Sequence, residues 1–417
     1  MNKNIKLAVA GAVLALSASA ANAGIIIPAG EWTLDINGNV NGYANFSKQK
    51  GTNTITGGIV GARQAHQDNN QTITTGLLPA WLGFTGKTRQ NDLDVEFTIS
   101  IQPGIAGNDI SGDGAFVDGT AYSNGSKMLN RQTYLSFGDK SWGSIKIGKD
   151  LGVFAADAIL SDMTLLGVGS GVGGNGPGTN TTNGGIGSGY IYAAWKGQIA
   201  YTTPNFNGFQ ATVALTNPNQ PFGNTTDWGG NGTYTTTTVN QDRFGLEGKA
   251  SYSFAGDALS GKLWVSGASY DVTTSAASNN SYTANVADIG LNLNAGAVGI
   301  TGYYYKGEGV GTTLLGSNGV NGTQKRDSDG GYIQATYKLP TATKIGLAYG
   351  VSKLDKVAAD AADSALVSEN NRITLGAYHP ITKHLNLVAE YNDIEAKSHN
   401  GLTNKQEIGS LGAILFF

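Results

Sequence analysis

The sequence has no cysteine among its 417 residues. That excludes a disulfide framework, cysteine-ligated zinc or iron–sulfur centres, and thiol chemistry. Charge is scarce as well. Asp, Glu, Lys and Arg make up 14% of the chain, against about 25% in ordinary globular domains. The basic side does not prevail, with 27 Lys and Arg against 30 Asp and Glu. A basic face for phosphates is therefore missing, which argues against nucleic acid as a partner. Histidine is limited to His66, His379, His384 and His399. None sits in a serine or aspartate context that would make a nucleophile or an acid–base pair, so no enzyme is expected.

Glycine and aromatics are what the chain does have. There are 62 glycines, roughly twice the usual share, and 18 Tyr, 13 Phe and 6 Trp. That bulk argues against a disordered chain. Residues 1–23 read as an address. Lys3 and Lys6 precede an apolar run from Leu7 to Leu16, and Ala21-Asn22-Ala23 is a small-x-small cleavage pattern. Gly24 is the expected first residue of the mature protein. Beyond it no apolar stretch is long enough for a membrane helix.

The rest repeats one unit, an alternating segment followed by a turn or a Gly/Asn/Thr-rich loop. Asp92–Ile101 is the clearest: Leu93, Val95, Phe97 and Ile99 share one side and Asp94, Glu96, Thr98 and Ser100 the other. Period two means a strand with one apolar and one wet face. About sixteen such strands are expected, near 32–47, 80–89, 91–102, 130–138, 142–150, 189–203, 208–216, 243–254, 258–271, 284–294, 296–308, 330–339, 343–354, 370–380, 383–395 and 407–417. Short gaps near 90, 140, 205, 256, 295, 341 and 381 alternate strictly with long ones at 48–79, 103–129, 151–188, 217–242, 272–283, 309–329, 355–369 and 396–406. An antiparallel meander has that freedom, because odd and even connections emerge at opposite ends. Short turns at one end and long loops at the other mark an outer-membrane barrel. A soluble sandwich would need neither an even count near sixteen nor one-sided loops. Closure also removes the exposed edges of so long a meander.

Tyr43, Phe46, Trp81, Phe84, Tyr190, Tyr192, Trp195, Tyr201, Tyr303 and Tyr305 fall near the expected strand ends and are read as interfacial girdles. The last segment, Glu407 to Phe417, alternates again and ends on an aromatic. It reads as a closing strand.

Three stretches resemble the general trimeric porins of Gram-negative bacteria. Leu34-Asp35-Ile36-Asn37-Gly38-Asn39-Val40-Asn41-Gly42-Tyr43 is similar to that family's first strand, and Leu82-Gly83-Phe84-Thr85-Gly86-Lys87-Thr88 to its second. Gly148-Lys149-Asp150-Leu151-Gly152-Val153-Phe154, through Asp157 and Ala158 to Ser161-Asp162-Met163, resembles the exit of strand five and the third loop. The resemblance implies an all-β, transmembrane, antiparallel 16-stranded barrel over 24–417, assembled as a homotrimer in outer-membrane lipid. It would pass ions and small hydrophilic solutes by passive diffusion. It also implies a second loop, 103–129, that reaches a neighbouring subunit, and a third, 151–188, that folds inward and narrows the pore. The start of the third loop, Leu151 to Leu160, is apolar enough to lie on the wall; Gly167 to Gly189 reads as flexible polar loop.

The resemblance further implies an eyelet of acidic loop residues facing basic wall residues. Asp162 matches one acidic position, and Leu166 stands where a second is expected. Arg131 matches one wall arginine. Two other basic positions fall on Asn39 and Trp81, and Lys196 is nearest to a further one. Period two independently turns Lys87, Arg89, Lys146, Lys196 and Gln198 inward. The constriction candidates are therefore Asp162, Arg131, Lys87, Lys146, Lys196, Trp81 and Asp157. No cofactor is expected. The acidic runs Asp109 to Asp113 and Asp327 to Gly330 are candidates for weak calcium binding in outer loops, with incomplete spacing. A substrate-selective channel is the alternative reading, and a barrel-anchored adhesin a weaker one, since loop length is shared among eight segments.

Overall fold

A computed structural model describes residues 24–63, 68–105, 128–171, 181–217, 239–240, 243–274, 280–362 and 364–417. The expected leader at 1–23, the middle of the second long loop, His66 and the acidic run at 109–113 lie outside these residues. The described chain is almost entirely β. Sixteen barrel strands follow one another: β1 Trp32–Lys50, β2 in two pieces, Asn69–Thr74 and Trp81–Gln90, β3 Leu93–Pro103, β4 Met128–Asp139, β5 Gly143–Leu151, β6 Trp195–Thr202, β7 Phe209–Thr216 and β8 Gly245–Ala255. Then come β9 Ser260–Thr274, β10 Asn280–Ala295, β11 Val298–Glu308, β12 Asp327–Lys338, β13 Lys344–Leu354, β14 Val367–Pro380, β15 Leu385–Ser398 and β16 Thr403–Phe416. Each pairs antiparallel with the next. β1 closes the ring on β16, from Asn39 opposite Phe416 to Lys50 opposite Lys405. Gly38 and Phe417 exchange backbone hydrogen bonds below that ladder, at 2.8 and 3.1 Å. A short N-terminal strand, Ile25–Ala29, folds back on the start of β1.

Alternation decides what each surface carries. On β14, Ile373 and Leu375 are exposed on the outside, while Arg372 and Thr374 are buried inside. Leu375 stands opposite Leu347 on β13 and Tyr391 on β15, a row of exposed apolar side chains across three strands. At the long-loop end the outer face becomes charged: Lys50 pairs with Glu407 at 2.8 Å, and Lys397 with Glu369 at 3.0 Å. The wall is unequal. The continuous strands from the lower piece of β2 to β8 have 8 to 12 residues; those from β9 to β16 have 11 to 16.

Three expectations are corrected. The long first loop holds a further piece of strand, Asn69–Thr74, paired with Tyr43 to Lys48 of β1. It was hidden because Thr75 to Ala80 then dips into the barrel, interrupting the alternation. Asn39 and Asn41 hold the dip, donating to the carbonyls of Pro79 at 2.9 Å and Leu78 at 3.0 Å. Strand six begins at Trp195, since residues 189–194 follow the inward loop. The aromatic girdle is the third. Phe46, Phe84 and Tyr201 are exposed, but Tyr43, Tyr190, Tyr303 and Tyr305 are buried inside the barrel. In Tyr303-Tyr304-Tyr305 only the middle ring points out.

The outer row sets a stability test. Leu375→Arg puts a cation in the middle of the apolar band and should cost about 2–4 kcal/mol of folding free energy in lipid. Urea unfolding from liposomes measures it. A loss indistinguishable from zero would mean that this face does not meet lipid.

Candidate functional site

The third long loop enters the barrel after β5 and crosses the inside of the taller wall. Ala156–Ser161 forms α1, a short helix entered through Ala155 at φ 59°. A 3-10 turn, Met163–Leu166, follows at once, and Asp162 caps it by accepting from the Thr164 N–H at 2.9 Å. Phe154, Ala158 and Leu165 are buried among wall residues such as Trp264, Tyr303 and Tyr332. This is a small hydrophobic core built within a tube, and burial of these side chains drives docking.

Polar groups on the wall then fix the loop's register. Glu247 on β8 accepts from the backbone N–H groups of Val153 at 2.6 Å and Phe154 at 2.9 Å, and its other oxygen takes Lys196 at 2.5 Å and Tyr270. Gln334 on β12 accepts from Met163 N–H and donates to the Ser161 carbonyl. Glu390 on β15 accepts from Val168 and Gly169 N–H, both at 2.9 Å, and from Tyr378. Gly167 passes so close that a Cβ there would stand 1.8 Å from Glu390. Asp162 accepts from Tyr190 at 2.8 Å and Gly185 N–H at 3.0 Å, and pairs with Arg372 on β14 at 3.4 Å.

The second half of the loop departs from the flexible polar segment expected there. Its described residues are packed. Thr182 Oγ1 donates to Val168 O at 2.7 Å, Ser170 Oγ to Gly184 O at 2.8 Å, and Leu77 N–H of the β2 dip to Gly167 O at 2.9 Å. The many glycines there serve close packing rather than freedom.

The candidates from the sequence divide by where they stand. Asp162 and Lys196 lie behind the loop, with side chains 1% and 0% exposed, each in a buried ion pair. Both are spent away from the lumen: Asp162 joins the loop to Arg372 of the wall, and Lys196 holds the wall carboxylate Glu247 that in turn grips the loop. Asp157, on α1, is gripped by Lys249 of β8 at 2.9 Å and by Lys262 of β9. Burial pushes its carboxyl up, but the two ammonium groups outweigh this and hold it below its ordinary value. This contact is therefore complete at neutral pH and is lost only on acidification below the ordinary carboxylate range.

Lys87, Lys146, Arg131 and Trp81 lie on β2, β4 and β5 of the shorter wall, where each stays at least partly exposed. Lys87 is exposed and 3.2 Å from Glu96. Lys146 pairs with Asp150 and lies 4.8 Å from the Tyr134 ring centre. Arg131 occupies a bulge, the extra residue where Ser100 faces Gln132 and Ile101 faces Asn130. Its guanidinium lies between two indoles, 4.5 Å from the ring centre of Trp81 and 4.2 Å from that of Trp195. Leu160 of α1 is exposed inside the barrel, giving the loop an apolar lumenal edge.

Glu247, Glu390, Arg372, Lys249 and Lys262 were not singled out from the sequence, although alternation turned each of them inward. Trp195 carried a contrary signal. It neighbours inward-facing Lys196, so strict alternation sends it outside. Ala194, at φ 60°, breaks the pattern and leaves the indole against Arg131. Among the described residues no three His, Asp or Glu side chains cluster as metal ligands. Asp327 and Asp329 are on β12, outside any loop.

Comparison with known proteins agrees with this architecture. A family model described as Gram-negative porin matches residues 9–399. The outer membrane channel DcaP of Acinetobacter baumannii superposes with a TM-score of 0.67 at 18% identity, covering 95% of this chain and 100% of that one. An anion-selective porin from Comamonas acidovorans gives 0.60 at 15% identity, with 93% and 100% covered. OmpT of Vibrio cholerae, in a trimer form, gives 0.51 at 13% identity, with 93% and 99% covered. No curated protein sequence matches significantly.

The anchors generate a prediction. Arg372→Leu leaves Asp162 buried without its cation and should cost roughly 3–5 kcal/mol. The loop should loosen with it, visible as added noise in single-channel current. A quiet channel of unchanged stability would show that Asp162 does not need Arg372.

Proposed function

The chain belongs to the Gram-negative porin family, outer-membrane channels for passive diffusion of small solutes, and on that premise we propose how this channel selects. The passage runs between the docked third loop and the exposed wall of β2 to β5, and it prefers anions. One observation carries this reading. On that wall Lys87 faces Glu96, Arg89 faces Asp94, and Lys146 faces Asp150, whereas no carboxylate within the described residues pairs with Arg131. An uncompensated cation at a narrow point sets the sign of the field there. At physiological salt the Debye length is about 8 Å, so a charge at the constriction acts across it and one in a wide vestibule does not. The likeness in fold to a porin named as anion-selective is consistent with this.

A homotrimer is the proposed assembly. Lys149 is on the outward side of the shorter wall, where its ammonium donates to the Asn130 carbonyl at 2.8 Å. A cation there is costly against lipid and acceptable against a second protein surface. Ile25, Ile26 and Ile27 are exposed beside β1 and add apolar surface to the same side. Light scattering in detergent should give the mass of three chains, and a monomeric mass would refute the assembly.

Selectivity is tested by reversal potential across a KCl gradient. Arg131→Ala should move it toward cations, and the shift should shrink as salt is raised. Asp162→Asn should leave it in place, since that carboxylate is sealed behind the loop. A shift from Asp162→Asn with none from Arg131→Ala would invert the proposed roles.

A further inference from the structure

Five of the six arginines have a carboxylate oxygen within 4.0 Å. Arg131 is the exception among the described residues, and its surroundings are specific. Both faces of the guanidinium are covered by indoles. Along its edge, one terminal nitrogen donates to Gln132 Oε1 at 2.6 Å. The Nε is buried with no partner. Gln132 donates onward to Asp150 Oδ1 at 2.9 Å, and Lys146 takes the other oxygen of that carboxylate. Asp150 is thus already engaged, and Arg131 keeps donor capacity that no protein acceptor meets. Trp81, Arg131 and Trp195 are each partly exposed, so this layered group is in contact with solvent.

We propose that the Trp81–Arg131–Trp195 stack is a docking subsite for small planar organic carboxylates. Three points of chemistry lead there. A guanidinium pairs with a carboxylate through its edge and in its own plane. The two indoles leave a layer one π-system thick, which admits a flat trigonal group and crowds a tetrahedral oxyanion. A flat ring attached to the carboxylate continues that plane past the indole edges, where aromatic contact adds affinity. Small inorganic anions gain the first of these terms only. The third loop supports the same chemistry, since exposed Leu160 and half-buried Leu166 give it an apolar lumenal edge. The inference rests on the reading that this wall lines the passage, and it extends that reading from the sign of the charge to the shape of the solute.

The test uses the whole channel in planar bilayers with two probes, benzoate and cyclohexanecarboxylate. They carry the same charge and nearly the same size, and differ in whether the ring is flat. With the wild-type channel in KCl, benzoate should reduce the ion current at concentrations at least about threefold below those needed for cyclohexanecarboxylate. Trp195→Leu should bring the two to parity, and Arg131→Gln should abolish block by both. Equal blocking concentrations in the wild type would overturn the subsite, and this comparison stands even if a variant fails to insert. If the probes block equally while Arg131→Gln still moves the reversal potential, only the subsite falls. If Arg131→Gln moves neither quantity, the proposed constriction falls with it.

Discussion

Every backbone polar group that faces hydrocarbon must find its partner within the protein, and the architecture follows from that constraint. It forces closure of β1 on β16, including the final exchange between Gly38 and Phe417. Closure in turn makes an inside. Because strand side chains alternate, one sequence supplies Leu375 to the outer surface and Thr374 to the inner one. The inside is then free to hold charge, which is costly on the part of the outer face that meets lipid.

That freedom is used unevenly. Glu247 on β8, at the edge of the shorter wall, and Glu390 and the Arg372–Asp162 pair on the taller one are consumed in binding a loop, and each carboxylate gathers several donors. Collecting backbone N–H groups and an O–H or ammonium on one carboxylate offsets the large cost of burying it. From β2 to β5 the cations stay at least partly exposed. There most cations face a neighbouring acid, and the imbalance is concentrated on Arg131, whose indole caps replace a counter-ion.

Much of this was legible in the sequence. The alternation of short and long gaps located all sixteen strands, because barrel topology imposes it regardless of residue identity. Alternation also turned Lys87, Lys146 and Lys196 inward. What it could not reveal is which inward groups meet the loop and which meet water. Asp162 and Arg131 look equivalent as family positions, yet one is buried against Arg372 and the other is not. Where regular alternation lapses, the reading fails for a physical reason. Asn69–Thr74 was lost behind the dip at residues 75–80, Trp195 was turned by Ala194, and Tyr43 and Tyr305 sat near strand ends but on the inner face. Proximity to a strand end says nothing about side, and only the count from a known inward residue does.

The anchoring of the third loop also orders events in time. Its contacts join Val153 to Glu247, Met163 to Gln334, Asp162 to Arg372 and Val168 to Glu390. Every partner lies far along the chain, on strands synthesised and paired much later. Contacts so distant in sequence form late, because closing long loops of chain must precede them. The loop therefore completes its docking only once strands as late as β15 are in place, and the passage acquires its final width near the end of assembly.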